Sequence, residues 1–99
     1  MGEPAWKSAQ RRIARAWGGE ATWRGESGSD GRGCPVALEV KRTKGGAIRT
    51  AHVLQAKAQG RAEGLPWVLV VCDHNDRAPL AVVDHTWLLG LARTAGVIA

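Results

Sequence analysis

The chain is expected to fold as one α/β domain spanning residues 1–99, with a mixed central sheet flanked by helices. Three observations predict this. Segments whose apolar residues recur three and four apart alternate with segments that are apolar at every second position or throughout. The run WVLVVC, residues 67–72, is apolar along its whole length, as a central strand covered on both faces must be. A chain of 99 residues lies near the lower limit for a self-sufficient core, which leaves no room for a second module and favours association.

Residues 4–17, PAWKSAQRRIARAW, begin with Pro at a suitable first helical position and repeat apolar residues at Trp6, Ala9, Ile13, Ala16 and Trp17, the stripe of an amphipathic helix. Gly18-Gly19 ends it. EATWR, residues 20–24, reads as a short strand, and GESGSDGRG is a turn-rich passage in which Asp30 borders a second strand. In the next strand, PVALEVK, Val36, Leu38 and Val40 share one face while Ala37, Glu39 and Lys41 share the other. After the basic loop RTKGG, a helix is expected over residues 47–64. Its Ala47, Ile48, Ala51, Leu54, Ala58 and Ala62 fall in one arc of the helix wheel, and that arc is expected to face inward and to include Gln55. WVLVVC follows, then the polar turn DHNDRAP, the strand LAVV, and a last helix capped by Asp84 with Trp87, Leu88 and Leu91 inside. The resulting order is α-β-β-β-α-β-β-α.

Fourteen Lys and Arg against nine Asp and Glu give a net charge of +5 and a pI near 10. That balance suits a polyanionic partner, because each phosphate contact releases condensed counterions. No run approaches the ~20 apolar residues of a membrane span, and MGEPAWKSAQRR lacks the apolar stretch of a secretion signal, so a cytoplasmic protein with no membrane partner is expected. Cys34 and Cys72 are far apart and suit reduced thiols. The five Trp suit core or interface positions, with Trp23 the candidate for contact with a base.

The chemistry concentrates in residues 27–44, SGSDGRGCPVALEVKRTK. Glu39 and Lys41 are cofacial on a strand whose faces should both be covered, and a buried charge needs a partner or a metal. Phosphodiester hydrolysis needs an activated water and neutralisation of the phosphate, which Mg²⁺ held by one or two carboxylates supplies. Asp30 and Glu39 are candidate ligands if the turn brings their strands together, with the Val40 carbonyl as a further oxygen. Glu26 is the alternative to Asp30 under a different loop register. Lys41 is placed to orient the water or neutralise the phosphate. Gln10 also falls on the inner arc of its helix, so that two glutamines point toward one polar site. Arg24, Arg32, Arg42, Lys44 and Arg49 lie close in sequence and could line a groove for phosphates. Arg11, Arg12 and Arg15, on the outer side of the first helix, fit plain surface equally well.

The arrangement of Asp30, a short spacer and Glu39-Val40-Lys41 resembles the PD-(D/E)XK nuclease superfamily, and the order of elements around it, over residues 5–92, is similar too. The resemblance is closest to small phage nucleases and archaeal-type Holliday junction resolvases, with Ser27-Gly28-Ser29 as the loop before the metal-binding Asp. It implies a restriction-endonuclease-like α-β-β-β-α-β core and an endodeoxyribonuclease using Mg²⁺ or Mn²⁺. It further implies a homodimer acting on branched or four-way-junction DNA in recombination, repair or phage DNA processing, in a prokaryotic or phage-infected cell. Under it Asp30, Glu39 and Val40 hold the metal, Lys41 and Gln55 complete the catalytic set, and Ser27 and Ser29 meet the DNA. Gln10 stands where relatives commonly carry a metal-supporting Glu. The alternatives are a repair or restriction-type nuclease on flaps or single strands, and a catalytically silent DNA-binding protein of the same fold.

Overall fold

In the computed structural model, which describes residues 5–23, 28–73 and 79–99, the elements run α1 (Ala5–Ala16), β1 (Glu20–Ala21), β2 (Gly31–Arg32), β3 (Ala37–Arg42), α2 (Thr50–Glu63), β4 (Trp67–Cys72), β5 (Leu80–Val83) and α3 (His85–Thr94). The order is the expected one. A 3₁₀ turn at Lys44–Gly46 occupies the basic loop, and α2 starts at Thr50, later than the apolar spacing suggests.

The sheet is mixed, in the order β3-β4-β5, with β4 parallel to β3 and antiparallel to β5. β1 and β2 form a separate antiparallel ribbon joined to β3 by the Asp30 N–H, which donates to the Leu38 carbonyl at 2.7 Å. Gly19 lets this ribbon close, because a Cβ there would lie 2.3 Å from the Arg32 carbonyl oxygen.

β4 separates two apolar clusters, as its unbroken apolar run requires. On one side Val68, Val70 and Cys72 pack with Leu38, Val36 and α1 residues Ile13 and Ala14; Ala14 takes the buried place expected of Ala16, which is exposed. On the other side Leu69 and Val71 meet Ala56 and Val53 of α2. Both cysteines are buried, and the Cys34 thiol donates to the Ala14 carbonyl at 3.7 Å. Among the described residues no helix is long and apolar enough to cross a membrane.

The inner face of α2 is the opposite of the expected one. Ala47, Ile48, Ala51, Leu54, Ala58 and Ala62 are all exposed, Leu54 at 59%, and Gln55 with them. Two physical features override the apolar arc. β3 presents Glu39 and Lys41 toward α2, so the helix turns its polar residues to them; and close packing needs small residues, which Ala56 and Gly60 supply. A Cβ at Gly60 would sit 2.9 Å from both the Leu65 carbonyl oxygen and the Trp67 Cβ.

α3 begins at Asp84, whose carboxylate accepts from the Trp87 N–H at 3.0 Å. Trp87 packs against the core, but Leu88 and Leu91, expected inside, are 49% and 47% exposed, and no residue of α3 is buried.

Candidate active site

β3 carries the centre of the site. Its period-two alternation buries Leu38 with the α1-side cluster and sends Glu39 and Lys41 to the face that α2 covers. Glu39 is only 3% exposed. Lys41, nearer the strand end, is half-buried.

Asp30 is held against this strand at several points. Its N–H donates to the Leu38 carbonyl, its own carbonyl accepts from the Thr22 N–H at 2.9 Å, and its carboxylate Oδ2 accepts from the Val40 N–H at 2.7 Å. One residue's N–H and C=O point to the same edge of a strand, so the Val40 carbonyl opens on the edge where the Asp30 carboxylate lies.

Gln10 is inward as expected, 7% exposed, but it serves as a donor: Nε2 lies 2.6 Å from the Thr22 carbonyl oxygen and 3.3 Å from that of Asp30. The amide fixes the backbone of the residue whose carboxylate faces β3. A glutamate there would set its oxygens against two carbonyls, so the amide fits this backbone arrangement better than an acid would.

The two carboxylates of Asp30 and Glu39 share a hydrogen bond, and Glu39 is pushed up from 4.5 to about 8. Burial is the largest cause, followed by the Asp30 charge; Lys41 opposes the shift, and Glu63 adds to it. Among the described residues no group of three or more His, Cys, Asp and Glu side chains converges as a metal set. The Asp30 and Glu39 carboxylates, with the neighbouring Val40 carbonyl, nevertheless fit Mg²⁺, which takes few protein oxygens and keeps its waters.

Two residues at the site were not singled out by the sequence. Glu63, at the end of α2, accepts from Ser29 Oγ at 3.1 Å and from Gln59 Nε2 at 2.8 Å, and its charge reaches Glu39. His52, at the other end of the same helix face, has a buried Nδ1 without a partner among the described residues, and its pKa is lowered by desolvation and by the charges of Lys41 and Arg49. The stripe His52, Gln55, Gln59, Glu63 has helical spacing and is the signal that could have found them. Gln55 stands at its outer margin, exposed to solvent rather than buried.

The cationic residues divide. Arg42, Lys44 and Arg49 are exposed just beyond the Lys41 end of β3. Arg32 lies elsewhere, on the ribbon, pairing with Glu20 at 3.4 Å. Ser29 is 3% exposed, and its hydroxyl lies 3.0 Å from the Gly31 carbonyl oxygen as well as near Glu63. It therefore braces the loop from inside. Arg24, Glu26 and Ser27 lie outside the described residues.

Comparisons with protein-family models, with curated proteins and with solved structures return no match. The chemistry open to the site follows from its own geometry.

Proposed function

We propose that the chain is a metal-dependent endodeoxyribonuclease with a restriction-endonuclease-like core of the PD-(D/E)XK type. The observation that carries this is the hydrogen-bonded pair of carboxylates, Asp30 and Glu39, on the face where Lys41 stands. A buried Glu39 with the Asp30 carboxylate beside it and Lys41 on the same face is costly for the fold alone and suits a divalent ion.

Asp30, Glu39 and the Val40 carbonyl would hold Mg²⁺ or Mn²⁺, and the ion when bound supplies an acidified water and a counter-charge for the phosphate. Lys41 holds its ammonium beside the carboxylates, where it orients the attacking water or neutralises a phosphate oxygen. Gln10 keeps the Asp30 backbone in register, and Glu63 braces the Ser29 side of the loop. Arg42, Lys44 and Arg49 lead phosphates to the Lys41 end of the site.

The substrate in this reading is branched DNA, with a four-way junction as the preferred form, cut by a homodimer. Dimerisation is supported by the apolar residues that β5 and α3 leave exposed, Leu80, Leu88 and Leu91, on a molecule 50 Å long and only 27 × 26 Å across. A panel of labelled four-way junction, flap, duplex and single-stranded substrates in Mg²⁺ tests the proposal. Preferential nicking of the junction is expected. Preference for flaps or single strands would make the chain a repair-type nuclease, and salt-sensitive binding without any nicking would make it a silent DNA-binding protein.

A further inference from the structure

Where β3 hands over to α2, three nitrogen-bearing side chains gather: Lys41 near the end of the strand, Arg49 as the N-cap of α2, and His52 in the first turn of the helix. The loop between them is fixed from inside. Thr43 is buried, its N–H donates to the Cys72 carbonyl at 2.9 Å, and its hydroxyl donates to the Ala47 carbonyl at 2.8 Å. The start of α2 is thereby tied to the end of the strand.

Two groups at this corner lack the partner that a folded chain ordinarily supplies. The first N–H groups of a helix have no acceptor within it and favour an oxygen or a negative charge, yet α2 has no side-chain cap and no acid in its first turn, and its N-cap is an arginine. Among the described residues no carboxylate pairs with Arg49. The second group is His52 Nδ1, which is shut off from solvent and has no hydrogen-bond partner among the described residues, a cost to the fold alone. The charges that act on its ring are those of Lys41 and Arg49, and with burial they hold its pKa below the ordinary value, so the ring is neutral at pH 7.

We infer that His52, Arg49 and the N-terminus of α2 form a seat for one phosphate group of the DNA backbone, neighbouring the phosphate that is cut. A phosphate oxygen accepts from Nδ1–H, which the neutral ring provides by adopting that tautomer, so no proton has to be taken up. The remaining oxygens meet the guanidinium fork and the N–H groups of the first helical turn. Lys41 is shared, since its charge also acts on Glu39, so it stands between the carboxylates and the seat. A water molecule would satisfy Nδ1 and leave the charge of the corner unmatched, and a metal ion would meet two cations. A carboxylate holds its two oxygens in one plane, whereas a tetrahedral phosphate reaches three donors set around it. The inference rests on the nuclease reading only for the polymer to which the phosphate belongs.

Titration of the isotope-labelled protein with inorganic phosphate in EDTA, at constant ionic strength and followed by NMR, tests the seat without DNA or metal. Saturable shifts of the His52 ring nitrogens and of the Thr50 and Ala51 amides are expected, and none with acetate at the same concentrations. Arg49→Gln and His52→Ala should each weaken phosphate about tenfold or more, the value of one hydrogen bond to a charged group. His52→Asn, whose amide nitrogen comes near the place of Nδ1, should keep most of the affinity, and Arg61→Gln, at the far end of α2, should bind as the parent does. For a labelled four-way junction in EDTA, Arg49→Gln should lower the salt slope by ~0.9, the value of one duplex phosphate, and His52→Ala should weaken binding with the slope unchanged.

His52 ring signals that phosphate does not move, or that acetate moves equally well, would overturn the inference. So would an Arg61→Gln variant that loses as much phosphate affinity as Arg49→Gln, because the effect would then be one of bulk charge. A protein that nicks the junction in Mg²⁺ while His52→Ala binds it as tightly as the parent would overturn the inference alone. A protein that seats inorganic phosphate as described yet nicks nothing in Mg²⁺ would overturn the nuclease reading alone.

Discussion

Replacing Glu39 by Gln should change how stability depends on pH, and the size of the change follows from the site. In the folded chain Glu39 keeps its proton up to about pH 8, against 4.5 as the ordinary value. The native state therefore binds one more proton than the unfolded state between these limits, so the stabilisation is complete below pH 4.5 and is lost as pH rises through about 8. At 1.36 kcal/mol per pH unit the full span corresponds to roughly 5 kcal/mol as a ceiling, and relaxation around the ionised carboxylate brings the expected loss to ~2–3 kcal/mol. For a chain of this length that is ~10–20 °C in Tm. The glutamine is neutral at every pH and can still donate to Asp30, so Glu39→Gln should melt near the parent at pH 5 and well above it at pH 8.5, with metal chelated. Thermal melts of both proteins across this range measure the difference directly. A difference that stays constant from pH 5 to pH 8.5 would refute a Glu39 that keeps its proton in the folded chain. Mg²⁺ at pH 8.5 should restore the parent and leave the variant unmoved.

Other outcomes follow from single contacts. Gln10→Ala strips the donor from the Thr22 and Asp30 carbonyls and should cost about 1–3 kcal/mol in denaturant unfolding, while Gln10→Glu should cost at least as much. Gly60→Ala drives a methyl group into the Leu65 carbonyl and the Trp67 Cβ, both at 2.9 Å, and should destabilise by about 1–3 kcal/mol. Leu88→Arg/Leu91→Arg should convert a dimer to a monomer in sedimentation with the fold intact by circular dichroism; a monomeric parent would remove the proposed interface.

The strands and the core of the site were legible because strand chemistry is local. Val36-Ala37-Leu38-Glu39-Val40-Lys41 alternates so regularly that only one register buries Leu38, and that register makes Glu39 and Lys41 cofacial. Asp30 could be placed beside them because the turn is short. The face of α2 was not legible by apolar periodicity. Its arc of Ala, Ile and Leu competes with a polar stripe, and the winner is decided by what β3 and β4 present across the gap: two charges that need polar neighbours and a strand that demands Ala56 and Gly60. The same inversion hid Glu63 and His52 and misplaced Gln55. Gln10 was correctly read as inward on the helix wheel, but a wheel cannot distinguish an amide that binds an ion from one that ties down two carbonyls.

α3 failed for the reason α2 did. Its apolar residues were assigned to a core that the single chain does not offer them, since only Trp87 reaches the buried cluster. Amphipathic spacing states that a face seeks cover, and it does not state from which molecule the cover comes.

In the proposed nuclease Asp30 and Glu39 hold a divalent ion for phosphodiester cleavage while binding of DNA lies elsewhere. Cleavage of a labelled four-way junction by the parent and by Glu39→Ala, in Mg²⁺ and in EDTA, with binding measured in parallel, tests it most directly. Nicking by the parent in Mg²⁺ alone, and none by Glu39→Ala at unchanged affinity for the junction, is the predicted result. Cleavage by Glu39→Ala at the parent's rate would contradict it.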